Sequence, residues 1–166
     1  LAIKIKRQFR DVEFIGGLLH DIGKMAMIQF DPERYARSKE LIAEKGLTDM
    51  EAEMEVFGVT HTTTGELIAR LWKLPKELQN IVSSHHHPGL LTEGRELTAV
   101  IRVADVLCEV WGAGIDEGMK ELKLIEEPAW IILCDKNPEL VDMDLEVFTF
   151  ELEDEFRRAS SFLQQI

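Results

Sequence analysis

The chain has 166 residues, a hydrophobic fraction of 45% and a charged fraction of 30%, which fits one globular domain with a buried core. Its formal net charge of −12 argues against a nucleic-acid partner, because binding to a phosphate backbone needs clustered Lys and Arg. No apolar run reaches membrane-spanning length, and no signal peptide is visible. The first residue is Leu1 rather than Met, so we expect a fragment or a processed product.

The two cysteines, Cys108 and Cys134, lie in separate apolar segments. This placement predicts buried, reduced thiols in a cytoplasmic protein. Their spacing does not indicate a disulfide and leaves one open.

The first predicted helix begins near Asp11 and ends in His20-Asp21. Val12, Ile15, Leu18 and Leu19 recur at helical spacing, which predicts a buried helix. Gly16 and Gly17 within it indicate close packing against another backbone. Taken alone, His20-Asp21 is better explained as a histidine near a helix C-terminus followed by an aspartate in a turn. Whether His20-Asp21 has a function must therefore be judged from the positions of the other histidines.

Capping residues mark the next helix starts. Asp31-Pro32-Glu33 predicts a helix that runs to about Lys45 and stops at Gly46. Thr48 and Glu51 form a capping box, which predicts a further helix ending near Gly58. Thr60 begins the helix after that.

Three more histidines fall on inward helix faces. His61 shares a face with Gly65, Ile68 and Trp72. His85 and His86 occupy the last two positions of an amphipathic stripe that opens with Leu78, whereas His87 falls off it.

A later helix spans roughly Glu96 to Trp111 and has Asp105 at the edge of its apolar stripe, where a carboxylate needs a partner. Apolar alternation is absent, so the fold class is predicted to be all-α. We expect a compact bundle of about seven or eight helices that forms a single domain over residues 1–166. The predicted core comprises Leu18, Leu19, Ile68, Trp72, Ile81, Val82, Ile101, Ala104 and Leu107.

Four inward histidines and two carboxylates form the candidate metal site. A lone inward histidine is more often a satisfied core residue, but a converging set is hard to explain without a metal. Such nitrogen-rich ligands suit Fe, Mn, Ni or Zn over Mg or Ca. We expect affinity to fall below about pH 6.5, since only neutral imidazole binds. The proposed ligands are His20, Asp21, His61, His85, His86 and Asp105.

The residues 20–24, His-Asp-Ile-Gly-Lys, resemble the signature of the HD superfamily of metal-dependent phosphohydrolases. The finer resemblance is to the HDOD family, the HD-related output domains of bacterial signalling proteins. It rests on segment 53–65 around His61, on Leu71-Trp72-Lys73-Leu74-Pro75, on His85-His86-His87-Pro88 and on Val103-Ala104-Asp105.

The resemblance implies a helical HD-type bundle in which Asp21 bridges two metal ions. His20 and Asp105 would complete one site, and His61, His85 and His86 the other. Asp21 and Lys24 would be the catalytic residues, with Lys24 near a substrate phosphate; an exposed lysine past a helix end is the equal alternative. Glu53 and Glu55 would accept imidazole N–H groups, although surface charges on a capped helix are the favoured interpretation.

Two departures from the family pattern matter. Pro88 is followed by Gly89-Leu90-Leu91 and not by the Gly-Tyr-Pro element of the sister HD-GYP group, which disfavours cyclic-di-GMP hydrolysis. No histidine precedes His20, although HD enzymes carry one upstream, and the N-terminal helical half of the family is also absent. We therefore expect the site nearer His20 to bind more weakly, and the chain to hold one ion or none there.

Three functions follow from these observations. The first is a signalling or regulatory module that binds a protein partner or a small phosphorylated ligand. The second is a metal-dependent phosphohydrolase acting on nucleotides or phosphoesters. The third is a structural metal site without catalysis. Retention of all six candidate ligands favours the second, and the resemblance to a mostly regulatory family favours the first.

Overall fold

The computed structural model describes residues 1–113, 117–118 and 122–163. Those residues form nine α-helices and no strand, which confirms the all-α prediction. The helices are α1 (Val12–Leu19), α2 (Ile22–Phe30), α3 (Pro32–Lys45), α4 (Asp49–Phe57), α5 (His61–Leu71), α6 (Lys76–Ser84), α7 (Arg95–Val110), α8 (Pro128–Lys136) and α9 (Leu145–Leu163). The short segment after Asp21 is itself a helix, α2, which accounts for the count above the predicted seven or eight.

The predicted capping residues do cap the N-termini of their helices. Asp31 Oδ1 accepts a hydrogen bond from the Arg34 backbone N–H at 3.0 Å, with Pro32 in the first helical position. Thr48 and Glu51 form the expected reciprocal capping box. These caps set the ends of α3 and α4, and the turn at Gly58 then leads into α5.

Helix α7 is the central helix of the core. It packs against α1, α6 and α8, and Ala99, Val103 and Val106 are fully buried. Since neighbours cover most of its faces, its buried surface is wider than the stripe predicted from the sequence. The main cluster joins Ala2, Ile5, Ala99, Val100, Val103, Leu107, Leu124, Ala129, Trp130, Leu133, Leu140, Phe148 and Leu152.

Two glycines allow α2 and α5 to approach closely. A Cβ atom on Gly23 would lie 1.9 Å from the His61 carbonyl oxygen, and one on Gly65 would lie 3.4 Å from the Gly23 backbone nitrogen. Side chains larger than hydrogen would push the two helices apart. The contact places the start of α2, with Asp21, beside the start of α5, with His61.

Part of the predicted core is wrong. Leu18 and Trp72 are 73% and 61% exposed, and Ile15 is also exposed. Helix α1 packs through the face that holds Gly16, which lies against Ile81 and Ile101, so Leu18 points away. The predictions for Ile81, Val82, Ile101 and Leu107 are confirmed, and Leu19, Ile68 and Ala104 are half-buried.

Trp72 is exposed because α5 ends one residue before it, at Leu71. The chain then reverses at Lys73, whose φ is 54°. The inward placement of His61 does not depend on Trp72: the face of α5 that is buried comprises His61, Thr62, Gly65 and Ala69.

The basic N-terminal segment pairs with the acidic C-terminal region. Lys4 Nζ lies 2.9 Å from Glu151 and 3.2 Å from Glu155, and Lys6 Nζ lies 3.0 Å from Glu139. Cys108 and Cys134 are free and half-buried. Among the described helices, none combines the length and apolarity needed to cross a bilayer.

Candidate metal centre

His20 and Asp21 sit at the junction of two helices. His20 is the C-cap of α1 and Asp21 the N-cap of α2. Neither side chain is fully buried: the exposed fractions are 19% and 24%. The junction therefore presents an imidazole and a carboxylate to the space between α1, α5 and α6.

Two further histidines are fixed by hydrogen bonds on their Nδ1 atoms. His61 begins α5, and its Nδ1 lies 2.8 Å from Oε2 of buried Glu53, which also accepts the His61 backbone N–H at 2.7 Å. His85 caps α6, and its Nδ1 lies 3.2 Å from the Ile81 carbonyl oxygen. Because both acceptors are oxygens without a proton, Nδ1 of each ring is the donor, and each Nε2 carries a lone pair.

The Nε2 atoms of these rings converge with a carboxylate oxygen. His61 Nε2 lies 3.4 Å from His85 Nε2 and 3.0 Å from His86 Nε2. Asp21 Oδ1 lies 3.5 Å from Nε2 of both His61 and His85. Ligands at zinc-like bond lengths on a tetrahedron are separated by about 3.3 Å, so these spacings suit one transition-metal ion.

This arrangement leaves lone pairs without donors. His86 Nδ1 is 3.9 Å from Glu117 Oε2, beyond hydrogen-bond distance, so without an ion the His86 proton can sit on Nε2 and be donated to His61 Nε2. Coordination of a metal through His86 Nε2 would require that proton to move to Nδ1. His85 Nε2 still faces Asp21 Oδ1, a buried oxygen that accepts no hydrogen bond from the described residues. Two electron-rich atoms that face each other at a buried position repel, and either a proton or a metal cation between them would remove that repulsion.

His20 and Asp105 form a separate pair on the other side of Asp21. His20 Nε2 lies 3.3 Å from Asp105 Oδ1 and 3.6 Å from Asp21 Oδ2, and His20 Nδ1 donates to the Gly17 carbonyl oxygen at 2.7 Å. Asp105 Oδ2 also accepts from Arg102 Nη1 at 2.8 Å. A protonated His20 therefore satisfies this pair without a metal.

Lys24 is buried in a cluster of three carboxylates. Its Nζ lies 3.0 Å from Asp21 Oδ2, 2.9 Å from Asp49 Oδ2 and 2.7 Å from Glu117 Oε1. The residue is 0% exposed, so the alternative of an exposed lysine past a helix end is wrong. Burial alone would lower the pKa of Lys24, but the charges of Asp21, Asp49 and Glu117 outweigh it and raise the pKa.

The histidines differ in how readily they take a proton. Burial lowers the pKa of His85 and of His86, which keeps both rings neutral and available as ligands. Burial also acts to lower the pKa of His20, but the hydrogen bond to Asp105 and the charge of Asp21 reverse the effect and raise it. His85 and His86 are therefore better suited to bind a metal, and His20 to carry a positive charge.

An open cavity of about 670 Å³ lies against the His20 side of the site. Its wall includes His20, Asp21 and Asp105, and apolar side chains such as Phe14 and Ile101. A small molecule in this cavity would reach Asp21 from the side opposite the convergent histidines.

The structure brings together all six ligands predicted from the sequence, in two groups joined by Asp21. Glu53 proves to be a buried acceptor for His61, so its interpretation as a surface charge is wrong, whereas Glu55 is exposed and paired with Lys45. The turn at Gly58, between two capped helices, was the signal that could have paired Glu53 with His61.

Sequence reasoning missed three residues that surround the site. Asp49 and Glu117 are buried against Lys24, and Arg102 Nη1 donates to both Asp105 and Glu117 at 2.8 Å. Asp49 looked like an ordinary acidic residue of a helix first turn, and nothing local to Glu117 marks it. Asp49 joins His86 and Glu117 in one convergent group and Glu53 and His61 in another.

Comparisons with known proteins agree with this architecture. The family model described as HDOD domain matches residues 1–88. A solved HDOD domain protein with unknown function from Geobacter sulfurreducens has a TM-score of 0.72 at 24% identity, covering 88% of this chain and 50% of that one.

A curated uncharacterized protein from Treponema pallidum (strain Nichols) is 27% identical over 94 residues, covering 56% of this chain and 18% of its own length. The chain thus spans half or less of these relatives. The family match covers more than half of the chain, and the chain belongs to the HDOD family.

Proposed function

We propose that this HDOD domain is a regulatory module of bacterial signalling that carries a transition-metal centre formed by His61, His85, His86 and Asp21. The observation that best supports the metal centre is the distance of 3.5 Å between His85 Nε2 and Asp21 Oδ1. The ring proton of His85 is held on the other nitrogen, Nδ1. His85 and Asp21 would hold a cation here, and its positive charge would remove the repulsion between their lone pairs.

The charge balance of the surroundings supports the same centre. Two cations, Lys24 and Arg102, contact the carboxylates around the histidines. The contacted carboxylates belong to Asp21, Asp49, Asp105 and Glu117. A fifth carboxylate, that of Glu53, contacts His61. A divalent ion would offset the remaining negative charge, and the three imidazoles select Fe, Mn, Ni or Zn over Mg or Ca.

The contacts of Lys24 favour the regulatory role. An ammonium group has three N–H donors, and Lys24 Nζ has three carboxylate oxygens within 3.0 Å, one from each of three residues. Arg102 Nη1 is likewise taken by Asp105 and Glu117. Lys24 is therefore not free to clamp a substrate phosphate, and the site as folded would bind a metal better than it would turn over a phosphoester.

A regulatory centre needs to influence the fold beyond its ligands. Asp21 joins α1 to α2, His61 begins α5, and His85 follows α6, so one ion would tie three helix ends together. Occupancy would then bias the packing of α1, whose Phe14 and Leu18 are exposed and available to a signalling partner or to another part of the protein.

The second candidate is a metal-dependent phosphohydrolase, with Asp21 and Lys24 in the catalytic roles that the resemblance implies. The cavity of about 670 Å³ beside His20, Asp21 and Asp105 favours it, because a substrate there would contact Asp21, the residue that would hold the ion. A bound divalent ion would act as a Lewis acid toward a phosphoryl oxygen. Asp21 would hold that ion, and Lys24 would have to leave a carboxylate to contact the phosphate.

One experiment separates these functions. Chelator-treated protein is reloaded with Mn²⁺, Fe²⁺, Ni²⁺ or Zn²⁺, analysed for bound metal, and assayed with p-nitrophenyl phosphate and bis(p-nitrophenyl) phosphate. Bound metal without turnover, together with metal-dependent hydrogen exchange in α1, supports the regulatory module. Turnover that Asp21→Ala abolishes supports the hydrolase, whereas metal that changes exchange only at its ligands indicates a structural site. Protein that takes up no transition metal at neutral pH contradicts the metal centre.

A further inference from the structure

His86 differs from the other two convergent histidines in what lies behind its ring. Nδ1 of His61 donates to Glu53 Oε2 at 2.8 Å, and Nδ1 of His85 donates to a backbone carbonyl oxygen at 3.2 Å. His86 has no such bond among the described residues: its Nε2 lies 3.0 Å from His61 Nε2, and its Nδ1 is 3.9 Å from Glu117 Oε2. Without an ion, the proton of this ring can therefore sit on the nitrogen that a metal would need.

Binding of a metal through Nε2 would move the His86 proton to Nδ1, since a neutral imidazole has one N–H. That N–H would then need an acceptor, because the His86 side chain is only 8% exposed and a metal-bound histidine almost always donates its other N–H to a carboxylate, a carbonyl or a water. Glu117 Oε2 faces Nδ1. A shift of about 1 Å would bring the two atoms within hydrogen-bond distance.

The backbone of Glu117 holds its side chain in place for this contact. Its N–H donates to Glu109 Oε1 at 2.9 Å, and its carbonyl oxygen accepts the backbone N–H of Asp49 at 3.0 Å. In the buried side chain, Oε1 accepts from Lys24 Nζ at 2.7 Å and Oε2 from Arg102 Nη1 at 2.8 Å. Because a carboxylate oxygen can accept two hydrogen bonds, Oε2 can take one further N–H and keep Arg102.

We propose that Glu117 is a positioning residue: it accepts the Nδ1–H of His86 when a metal ion binds, and so holds that ring with its Nε2 lone pair directed at the ion. The inference rests on the metal centre proposed above, and it gives Glu117 the role for His86 that Glu53 has for His61. Since Glu117 follows α7 and binds the first residue of α4, metal occupancy would also act on the contact between these two parts of the fold.

The test uses chelator-treated protein reloaded with Zn²⁺, which is diamagnetic and keeps imidazole signals visible by NMR. Proton–nitrogen spectra of histidine-labelled protein report which ring nitrogen carries the proton, and hydrogen exchange reports whether that N–H is bonded. The variant is Glu117→Met, which keeps the length of the side chain and removes both acceptors. The matched control is Asp49→Asn, which also removes one carboxylate charge from Lys24 but lies nearest to Nε2 of His86, at 4.0 Å, and not to Nδ1.

In the wild type, Zn²⁺ should move the His86 proton from Nε2 to Nδ1, and this N–H should exchange slowly. In Glu117→Met it should exchange fast while His61 and His85 keep their protected N–H groups, and zinc affinity should fall about 10-fold to 100-fold. Asp49→Asn should keep the slowly exchanging His86 N–H. If Glu117→Met fails to fold, Glu117→Gln preserves the volume and one acceptor oxygen, and should show a smaller change in the same direction.

A His86 N–H that exchanges equally fast in the zinc-loaded wild type and in the variant would identify water as its acceptor and overturn the role of Glu117. Slow exchange in both would assign the acceptor to another group, with the same consequence. A proton that stays on Nε2 with zinc bound would remove His86 from the ligands and overturn the role as well. A wild type that binds no zinc would instead overturn the metal centre of the proposed function, so the two failures are distinguishable.

Discussion

Glu53 accepts two hydrogen bonds from His61, one from Nδ1 at 2.8 Å and one from the backbone N–H at 2.7 Å. The first bond fixes the proton of the ring on Nδ1, and the second fixes the start of α5. Together they aim the His61 Nε2 lone pair at His85 and Asp21. The Glu53 carboxylate thus sets both the tautomer and the position of His61, a proposed metal ligand.

Glu53→Gln should weaken binding of Zn²⁺ or Mn²⁺ by about 10-fold to 100-fold, the usual cost of losing an acceptor behind a metal-bound histidine. Affinity is measured by competition with a chromophoric chelator. Glu55→Gln is the matched control, because Glu55 is exposed and pairs only with Lys45 among the contacts described for it. Equal affinity in the wild type and Glu53→Gln would show that the tautomer of His61 is fixed by something else.

His85→Ala and His86→Ala should each lower metal content, whereas His87→Ala should leave it unchanged. His85 and His86 belong to the convergent group, and His87 is exposed with its ring centroid 6.5 Å from that of His86. Elemental analysis of untagged protein gives the comparison. Helix α6 ends at Ser84, so an equal loss from all three variants would mean that the turn after it rearranges when metal binds.

Gly23→Ala should destabilise the fold by about 3 kcal/mol or more, at the upper end for overpacked sites. The new Cβ atom would lie 1.9 Å from the backbone oxygen of His61, and backbone cannot rotate away as a side chain can. The measurement is the urea midpoint of chelator-treated protein. Gly89→Ala is the control, because a Cβ atom there would have nothing within 4 Å. Similar midpoints for both variants would contradict the close approach of α2 and α5.

The metal-free protein should lose stability as the pH falls below about 6.5, the ordinary pKa of histidine. Burial lowers the pKa of His85 and His86 in the folded state, so in this range the unfolded chain binds protons that the folded chain does not. Each histidine then contributes a slope of about 1.4 kcal/mol per pH unit. His20, whose pKa is raised, contributes stability that is complete below pH 6.5 and is lost as the pH rises above it.

Urea unfolding between pH 5.5 and 7.5 tests this dependence. His86→Phe keeps a ring in place without a titrating nitrogen and should flatten the slope below pH 6.5. The lowered pKa values also extend metal binding to more acidic solution than the sequence alone predicts. Stability that rises as the pH falls from 6.5 to 5.5 would contradict the assignment of neutral, buried rings.

Local rules predicted the elements well and the contacts between them less well. Asp31, Thr48 and Thr60 act as helix caps because capping depends on residues within one turn. The inward positions of His61 and His85 followed from helical periodicity, which is also local. The prediction that Leu18 is buried was wrong, because apolar periodicity does not say which side of a short helix a neighbour will cover.

The environment of Lys24 could not be predicted from the sequence for a related reason. Its partner Glu117 is 93 positions away, and no pattern near either residue encodes that pairing. A lysine in the first turns of a helix is ordinarily solvated. Its burial is a property of the assembled bundle and depends on the glycine contact that draws α2 against α5.

The junction position of Asp21 has a consequence for the folding pathway. The proposed ion would bind donors from three helix ends that are distant along the chain, so its complete coordination shell cannot form in a nascent or partly folded polypeptide. Such an ion would act as a late cross-link whose energy is gained after the rate-limiting step, and it would slow unfolding far more than it would speed folding. Loss of the metal would then shorten the lifetime of the native state, and cellular proteases would remove the metal-free form first.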